Sequence, residues 1–241
     1  APVVTTQDIT ISLDENGVST ILASDIDNGS VDNCDSNIDL SIDIDSFDCS
    51  SIGDNVVTLT ATDANGNVSS ETATVTIVDN IDPIAISQDL VISLDENGQA
   101  SITESDINNG STDNCGIESI SIDITSFDCS NIGDNVVTLT VTDSSGNQST
   151  AISIVNIQDS VGPNVITQDI SVNLDENGEA IISASDIDGG TIDNCSNVSL
   201  SIDLDTFGCS DVGDNVVTLT AVDSNGNESS SIAVVTVIND W

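Results

Sequence analysis

The sequence contains no lysine, arginine or histidine, and its 42 aspartate and glutamate residues give a formal net charge of −42. The absence of basic side chains excludes salt bridges within the chain. It also excludes nucleic acid as a partner, because nothing can neutralise a phosphate group. Anionic lipid surfaces are disfavoured for the same reason. The remaining way to relieve the repulsion is to bind cations from solution, and Ca²⁺, which prefers oxygen ligands, fits best.

The chain is also poor in aromatic residues, with three phenylalanines, one tryptophan and no tyrosine. Without His, Lys, Arg or Tyr, and with the cysteines assigned to disulfides, only a pair of carboxylates remains for catalysis. Every such pair recurs in triplicate, and the chain lacks aromatic residues to line a sugar subsite. We therefore expect that the protein is not an enzyme.

Long apolar runs are missing as well. No stretch approaches the roughly 20 apolar residues that a helix needs to cross a bilayer, so we expect no membrane insertion in this segment. Ala1-Pro2 aligns with Asp82-Pro83 and with Gly162-Pro163. This alignment predicts that the chain is a window from a longer array.

One segment occurs three times, at 47–63, 127–143 and 207–223, and each copy begins 80 residues after the previous one. Each copy combines a phenylalanine, a cysteine, a Gly-Asp-Asn turn and a strand in which apolar and polar residues alternate. Such alternation continues through the whole period, and no helical periodicity is present. We predict an all-β chain of three small β-sandwich domains, residues 1–81, 82–161 and 162–241. Because no flexible linker separates them, we expect an elongated rod.

Six cysteines fall two to a repeat, which predicts disulfides and an oxidising compartment outside the cell. A disulfide that closes a loop of about 15 residues stabilises a domain by roughly 3 kcal/mol. We predict pairing within each repeat: Cys34–Cys49, Cys115–Cys129 and Cys195–Cys209. A phenylalanine two residues before the second cysteine is expected to fill each core beside the disulfide: Phe47, Phe127 and Phe207.

An acidic loop in each repeat carries oxygen-bearing side chains at alternate positions, then a glycine and a later carboxylate. These features are typical of calcium loops, although the helices and the final glutamate of an EF-hand are missing. The alternative is a solvated loop whose aspartates cap turns. The candidate ligands are Asp25, Asp27 and Asp32, with Asp106, Asn108 and Asp113, and with Asp186, Asp188 and Asp193.

Two further sets of acidic residues are candidate calcium ligands. The first set begins each Asp-x-x-Gly-Asn segment, for which a hairpin turn is the alternative interpretation: Asp63, Asp143 and Asp223. The second set lies at the predicted domain boundaries, where a shared ion would stiffen successive domains as in cadherin linkers: Asp79, Asp82 and Asp159. Gly162 stands where Asp82 stands one repeat earlier, so the two boundaries are not expected to be equal.

The ordered motifs Asp-Asn-Cys, Phe-x-Cys, Gly-Asp-Asn-Val-Val-Thr-Leu-Thr and Asp-x-x-Gly-Asn occur together at 32–67, 113–147 and 193–227. In this combination the chain resembles the hyalin repeat (HYR) family of Ig-like modules. The resemblance implies three tandem Ig-like β-sandwiches at the cell surface, with a role in adhesion or extension. Such arrays are similar to giant surface proteins of Bacteroidetes, including gliding adhesins. The resemblance implies no catalytic residues.

Together these features predict a structural stalk segment of a long extracellular, cell-surface adhesin or filament. Disulfides would staple it and Ca²⁺ would stiffen it, and its partners would be neighbouring repeats of the same chain. The alternative is a set of calcium-dependent modules that bind surface glycans, or other cells, by avidity. Lateral or end-to-end assembly of copies is a third hypothesis, which the polar outward positions of the strands disfavour.

Overall fold

A computed structural model describes residues 1–34 and 36–240. The first repeat consists of β1 (Ile9–Ser12), β2 (Val18–Thr20), α1 (Ala23–Ile26), β3 (Asp39–Ile42), β4 (Ser46–Asp48), β5 (Gly53–Thr62) and β6 (Val68–Val78). The second consists of β7 (Leu90–Ser93), β8 (Gln99–Ser101), α2 (Glu104–Ile107), β9 (Ile117–Ile122), β10 (Ser126–Asp128), β11 (Gly133–Asp143) and β12 (Gln148–Gln158). The third consists of β13 (Ile170–Asn173), β14 (Glu179–Ile181), α3 (Ala184–Ile187), β15 (Ser199–Ile202), β16 (Thr206–Gly208), β17 (Gly213–Val222) and β18 (Glu228–Ile238). In the described chain, no helix is long and apolar enough to cross a membrane.

Each repeat is built from one larger and one smaller sheet. The four-stranded sheets have the orders β1-β6-β5-β3, β7-β12-β11-β9 and β13-β18-β17-β15, and the two-stranded sheets are β2-β4, β8-β10 and β14-β16. The first strand of each larger sheet runs parallel to the last strand of the repeat, whereas the other described pairings are antiparallel. The prediction of three tandem Ig-like β-sandwiches is confirmed.

The core of a repeat lies between its two sheets, as the third repeat illustrates. Alternate residues of a strand point to opposite faces, and Leu219 of β17 and Val235 of β18 point inward and are fully buried. On the smaller sheet Ala180 pairs with Phe207, and both join the same apolar cluster. The phenylalanines are 1–3% exposed in all three repeats. Their predicted role as the aromatic residue of each core is confirmed.

Each acidic loop also contributes to the core through a single-turn helix. Each helix ends on a completely buried isoleucine: Ile26, Ile107 and Ile187. In the first repeat the carboxylate of Asp25 accepts a hydrogen bond from the backbone N–H of Leu22 at 2.7 Å, which satisfies a group that the helix leaves unpaired. One turn is too short for a helical period to be visible in the sequence.

Backbone contacts divide the described chain into two compact units that do not coincide with the repeats. One unit contains residues 1–88, 104–123 and 137–153, and the other contains 89–103, 124–136 and the chain from 154 onward. Each unit therefore combines a terminal repeat with segments of the middle repeat. The domain boundaries at 81/82 and 161/162 stay a prediction.

We expect Ile187→Ala to lower the free energy of unfolding by about 2–5 kcal/mol, because it leaves a cavity under helix α3. Ile192→Ala is the matched control, since its side chain is 62% exposed, and it should change the stability by less than about 0.5 kcal/mol. Urea unfolding followed by circular dichroism measures both. Equal effects would show that the helix does not close the core.

Candidate functional site

Both disulfides of the described chain join consecutive repeats. Cys49 is bonded to Cys115 with their Cα atoms 5.3 Å apart, and Cys129 is bonded to Cys195 with a Cα separation of 5.2 Å. The remaining two cysteines are free and exposed. The predicted pairing within each repeat is therefore wrong for all three pairs: Cys34–Cys49, Cys115–Cys129 and Cys195–Cys209.

The strand between the two cysteines explains why they do not pair within a repeat. Cys209 lies just before β17, which begins at Gly213. Cys195 lies at the far end of that strand, because Ser224 donates its backbone N–H to the Oγ of the adjacent Ser196 at 3.2 Å. The 10 residues of β17 span about 33 Å, whereas the Cα atoms of a disulfide lie about 4.4–6.8 Å apart. Each of the four bonded cysteines instead pairs with a cysteine of the adjacent repeat.

Pairing between repeats changes the energetic contribution of each bond. The bonded cysteines are 66 residues apart in sequence. For a loop of this length the chain-entropy model gives a stabilisation of about 4 kcal/mol, compared with roughly 3 kcal/mol for the loop of about 15 residues predicted within a repeat. Cys49 and Cys115 also pack against the apolar cluster that contains Phe47. The phenylalanine thus lies near a disulfide, as predicted, but that disulfide links two repeats.

A glycine allows each disulfide to approach the turn that follows the first strand. Gly17 has φ +72°, and a Cβ on it would lie 2.7 Å from the Sγ of Cys49 and 3.0 Å from the backbone oxygen of Asn114. At Gly98 the corresponding distances are 2.5 Å to the Sγ of Cys129 and 3.2 Å to the backbone oxygen of Asn194. Any side chain at these two positions would displace the disulfide.

Three carboxylates converge next to each disulfide. Asp79 follows β6, and one of its oxygens lies within 4.8 Å of oxygens of Asp113 and Asp143 from the second repeat. Asp79 is 5% exposed and Asp143 is completely buried. We call this group with Cys49–Cys115 the first joint; the second joint is Cys129–Cys195 with the equivalent group Asp159, Asp193 and Asp223. Charges buried this deeply are normally paired or bound to a metal ion.

Hydrogen bonds hold these carboxylates without using every oxygen. Asp113 Oδ2 accepts two backbone N–H groups at 2.8 and 2.9 Å. Asp143 accepts two backbone N–H groups at 2.8–2.9 Å and the side-chain amide of Asn147 at 2.7 Å. The buried oxygens Asp79 Oδ2 and Asp113 Oδ1, in contrast, accept no hydrogen bond from the described residues. A cation at the first joint would be coordinated by these two oxygens.

The second joint offers fewer free oxygens than the first. Asp193 Oδ1 is buried and has no hydrogen-bond partner among the described residues. Asp159 Oδ2, however, accepts a hydrogen bond from Asn225 Nδ2 at 2.9 Å, whereas the first joint has Ser145 in the position of that asparagine. Asp82 is exposed and lies outside both carboxylate groups of the described chain.

Asparagines that the sequence analysis overlooked also connect the repeats. Asn114 Nδ2 donates to the backbone oxygen of Asp14 at 3.2 Å and to Asp79 Oδ1 at 3.3 Å. Asn147 Nδ2 donates to the backbone oxygens of Asp79 at 3.1 Å and Ile81 at 3.3 Å. The equivalent donors at the second joint are Asn194 and Asn227. The available signal was the asparagine that follows aspartate in every Asp-Asn-Cys motif.

In the first repeat a positive charge lies beside Asp32 and Asp63, which stand at the positions of Asp113 and Asp143. The α-ammonium group of Ala1 lies 3.5 Å from Asp32 Oδ2 and 3.9 Å from Asp63 Oδ2. This ion pair corrects the expectation of no salt bridge within the chain, because a count of side chains omits the terminal amine. Hydrogen bonds from the side chain and backbone of Asn67 hold the pKa of Asp63 below its ordinary value. Asp63 is therefore ionised at neutral pH and attracts cations.

The earlier residues of each acidic loop cap turns. Asp27 accepts the backbone N–H of Ser30 at 3.0 Å, and Asn108 accepts that of Ser111 at 3.1 Å. Among the described residues, the groups of three carboxylates are those of the two joints. The structure therefore brings together one residue from each predicted set of candidate ligands. The two groups do not include the candidate ligands Asp25, Asp27, Asp106, Asp186 and Asp188.

No family model and no curated protein matches this chain. Among solved structures it is similar to an I-band fragment of titin, with 9% identity, a TM-score of 0.42 and 98% of each chain covered. Mouse cadherin-23 (EC22-24) gives 14% identity and a TM-score of 0.36, with 98% of this chain and 96% of that chain covered. The immunoglobulin domains 1–5 of Sidekick-1 give 8% and 0.40, with 99% and 59% covered. These values are too low to assign a family or a function.

We expect non-reducing peptide mapping of the monomer to recover Cys49 linked to Cys115 and Cys129 linked to Cys195. Trypsin has no site in a chain without lysine and arginine, so the digestion uses a protease that cleaves at aspartate, after the free thiols have been alkylated. The double variant Cys129→Ser with Cys195→Ser is the control and should keep only the first bond. A peptide in which Cys115 is linked to Cys129 would contradict the pairing.

Proposed function

We propose that this chain is a structural segment of a long extracellular, cell-surface adhesin or filament, in which a disulfide and a bound Ca²⁺ ion fix each joint between repeats. One observation carries the proposal. At each joint a disulfide lies next to three carboxylates drawn from two consecutive repeats, and the arrangement occurs twice. A chain that bears tension needs such links between its repeats, whereas a single binding or catalytic site does not.

The chemistry of the donor atoms supports calcium. Ca²⁺ takes about six to eight oxygen ligands from carboxylates, backbone carbonyls and water. The first joint supplies the unbonded oxygens Asp79 Oδ2 and Asp113 Oδ1, with a carboxylate oxygen of Asp143 close to both. The nearby cysteine sulfurs are consumed in a disulfide, which disfavours zinc.

The disulfide and the ion would restrain different movements of adjacent repeats. The disulfide limits how far the two chain segments separate, but it permits rotation about its bonds. Three carboxylates within 4.8 Å of one another repel when they are ionised, and a divalent ion between them converts that repulsion into attraction. Calcium would therefore fix the contact between Asp79 and the next repeat, and its removal would loosen that contact.

The disulfides support an extracellular location, because such bonds persist in oxidising compartments. The resemblance to hyalin repeats, and through it to surface and gliding adhesins of Bacteroidetes, supports the adhesin role and rests on residues 32–67, 113–147 and 193–227. The proposed partners are neighbouring repeats of the same long chain, and the proposal includes neither nucleic acid nor catalysis. Binding of surface glycans stays a prediction.

We expect Asp79→Asn to have opposite effects on stability without and with calcium. The amide oxygen can replace Oδ1, which accepts hydrogen bonds, and the NH₂ group takes the place of the unbonded Oδ2. Loss of one buried negative charge should raise the melting temperature in EDTA. With calcium the wild type should be the more stable protein, since an ion at 100 times its Kd adds about 2.7 kcal/mol per site.

Calorimetric titration and melting curves, with and without calcium, measure this reversal. Asp45→Asn is the control, because it removes the same charge from an exposed position outside both joints, and it should leave the calcium stoichiometry unchanged. Asp159→Asn should remove binding at the second joint alone. If calcium leaves the wild-type melting temperature unchanged, or if Asp45→Asn and Asp79→Asn act alike, the proposed calcium sites are wrong.

A further inference from the structure

One carboxylate oxygen distinguishes the two joints. Asp79 is 5% exposed and Asp159 is 8% exposed, and the Oδ1 of each accepts a backbone N–H from two residues later, at 3.2 and 3.1 Å. Asp79 Oδ2 accepts no hydrogen bond from the described residues, whereas Asp159 Oδ2 accepts the side-chain amide of Asn225 at 2.9 Å. The second joint thus supplies a donor at the atom that the first joint leaves unpaired.

This donor comes from one position of an otherwise equal turn. Ser145 and Asn225 both donate their backbone N–H at 2.9 Å to the aspartate that opens the turn, Asp143 or Asp223. Both residues are exposed, so a substitution there leaves the core intact. The serine side chain ends at Oγ, one bond short of the nitrogen with which the asparagine reaches the carboxylate. The identity of this residue therefore decides whether the Oδ2 atom is paired.

We propose that the residue at position 145 or 225 sets the calcium affinity of its joint, so that the first joint fills at a lower calcium concentration than the second. This order rests on the proposed function, because it concerns the same two calcium sites. At the first joint Ca²⁺ meets an unpaired oxygen of Asp79, whereas at the second joint it has to displace the Asn225 amide. A hydrogen bond to a charged group is stabilising, so its loss weakens the binding of the ion.

The other unpaired oxygens reinforce this order. Among the described residues, the buried side-chain oxygens without a hydrogen bond are three at the first joint and two at the second. They are Asp79 Oδ2, Asp113 Oδ1 and Asn114 Oδ1 at the first joint, and Asp193 Oδ1 and Asn194 Oδ1 at the second. A buried oxygen without a partner costs free energy, and a bound cation relieves this cost. The first joint therefore gains more from the ion.

The charge around the two joints differs in the same direction. Asp82 lines a groove beside the first joint together with Glu15 and Asp113. In the groove beside the second joint, Gly162 stands at the position of Asp82 and Glu96 at that of Glu15. The first joint therefore has one more carboxylate close by. A more negative local potential raises the local concentration of cations.

Asn225 also gives the second joint a link that does not depend on calcium. Its hydrogen bond connects Asp159, at the end of the second repeat, with a turn of the third repeat. At the first joint no described residue donates to the corresponding oxygen of Asp79. Removal of calcium should therefore loosen the first joint more than the second. At intermediate calcium concentrations the ion fixes the first joint, while the Asn225 hydrogen bond holds the second.

Calorimetric titration of calcium into single-joint variants measures the two affinities, because Asp159→Asn leaves only the first joint to bind and Asp79→Asn leaves only the second. We expect the Kd of the first joint to be at least about tenfold lower than that of the second. In these backgrounds Asn225→Ser should lower the Kd of the second joint about tenfold, and Ser145→Asn should raise that of the first by a similar factor. Ser144→Asn, the same change one exposed position earlier, is the matched control and should leave the Kd unchanged.

Melting curves in EDTA test the hydrogen bond without the ion. Ser145→Asn should raise the melting temperature, since its amide can pair with Asp79 Oδ2, and Asn225→Ser should lower it. Unchanged melting temperatures in EDTA, equal affinities at the two joints, or a Kd that does not fall after Asn225→Ser would overturn the proposed order, while two bound calcium ions would still support the proposed function. If neither joint binds calcium, the order and the proposed calcium sites are both wrong.

Discussion

Repulsion between like charges is the constraint on which the rest of this structure depends. Each joint buries carboxylates from two repeats with their oxygens within 4.8 Å of one another, and no lysine, arginine or histidine side chain exists in the chain to neutralise them. A covalent bond at the same place opposes the separation that the charges favour. A divalent ion from solution would neutralise part of this charge at the joints.

A disulfide between repeats also makes each small core depend on its neighbour. One phenylalanine serves as the large aromatic residue of a core, and in the first repeat Cys49 and Cys115 pack against the cluster around it. The free energy of unfolding of such an array is approximately the sum of the stabilities of the individual repeats and the contributions of the joints between neighbouring repeats. Because Cys49 and Cys115 also border the core, breaking the bond between them affects the packing of the core as well as the link between the repeats.

The sequence was informative where the physical signal is local. Alternation with a period of two revealed the strands, and the acidic residues of the joints were identified one by one. Their grouping could not be predicted, because Asp79, Asp113 and Asp143 belong to three segments that are far apart in sequence and that the fold brings together. The cysteine pairing failed since it ignored the length of β17, which separates Cys195 from Cys209. The helices were missed because one turn shows no period.

Anomalous diffraction from crystals grown with calcium tests the central claim most directly, namely that carboxylates of consecutive repeats form one cation site next to a disulfide. The account predicts an anomalous peak at each joint, about 2.3–2.6 Å from its carboxylate oxygens. At the first joint these belong to Asp79 and Asp113, next to the density of the Cys49–Cys115 bond. Peaks in the acidic loops at Asp25 and Asp27 with none at the joints, or no peaks in the crystal, would contradict it.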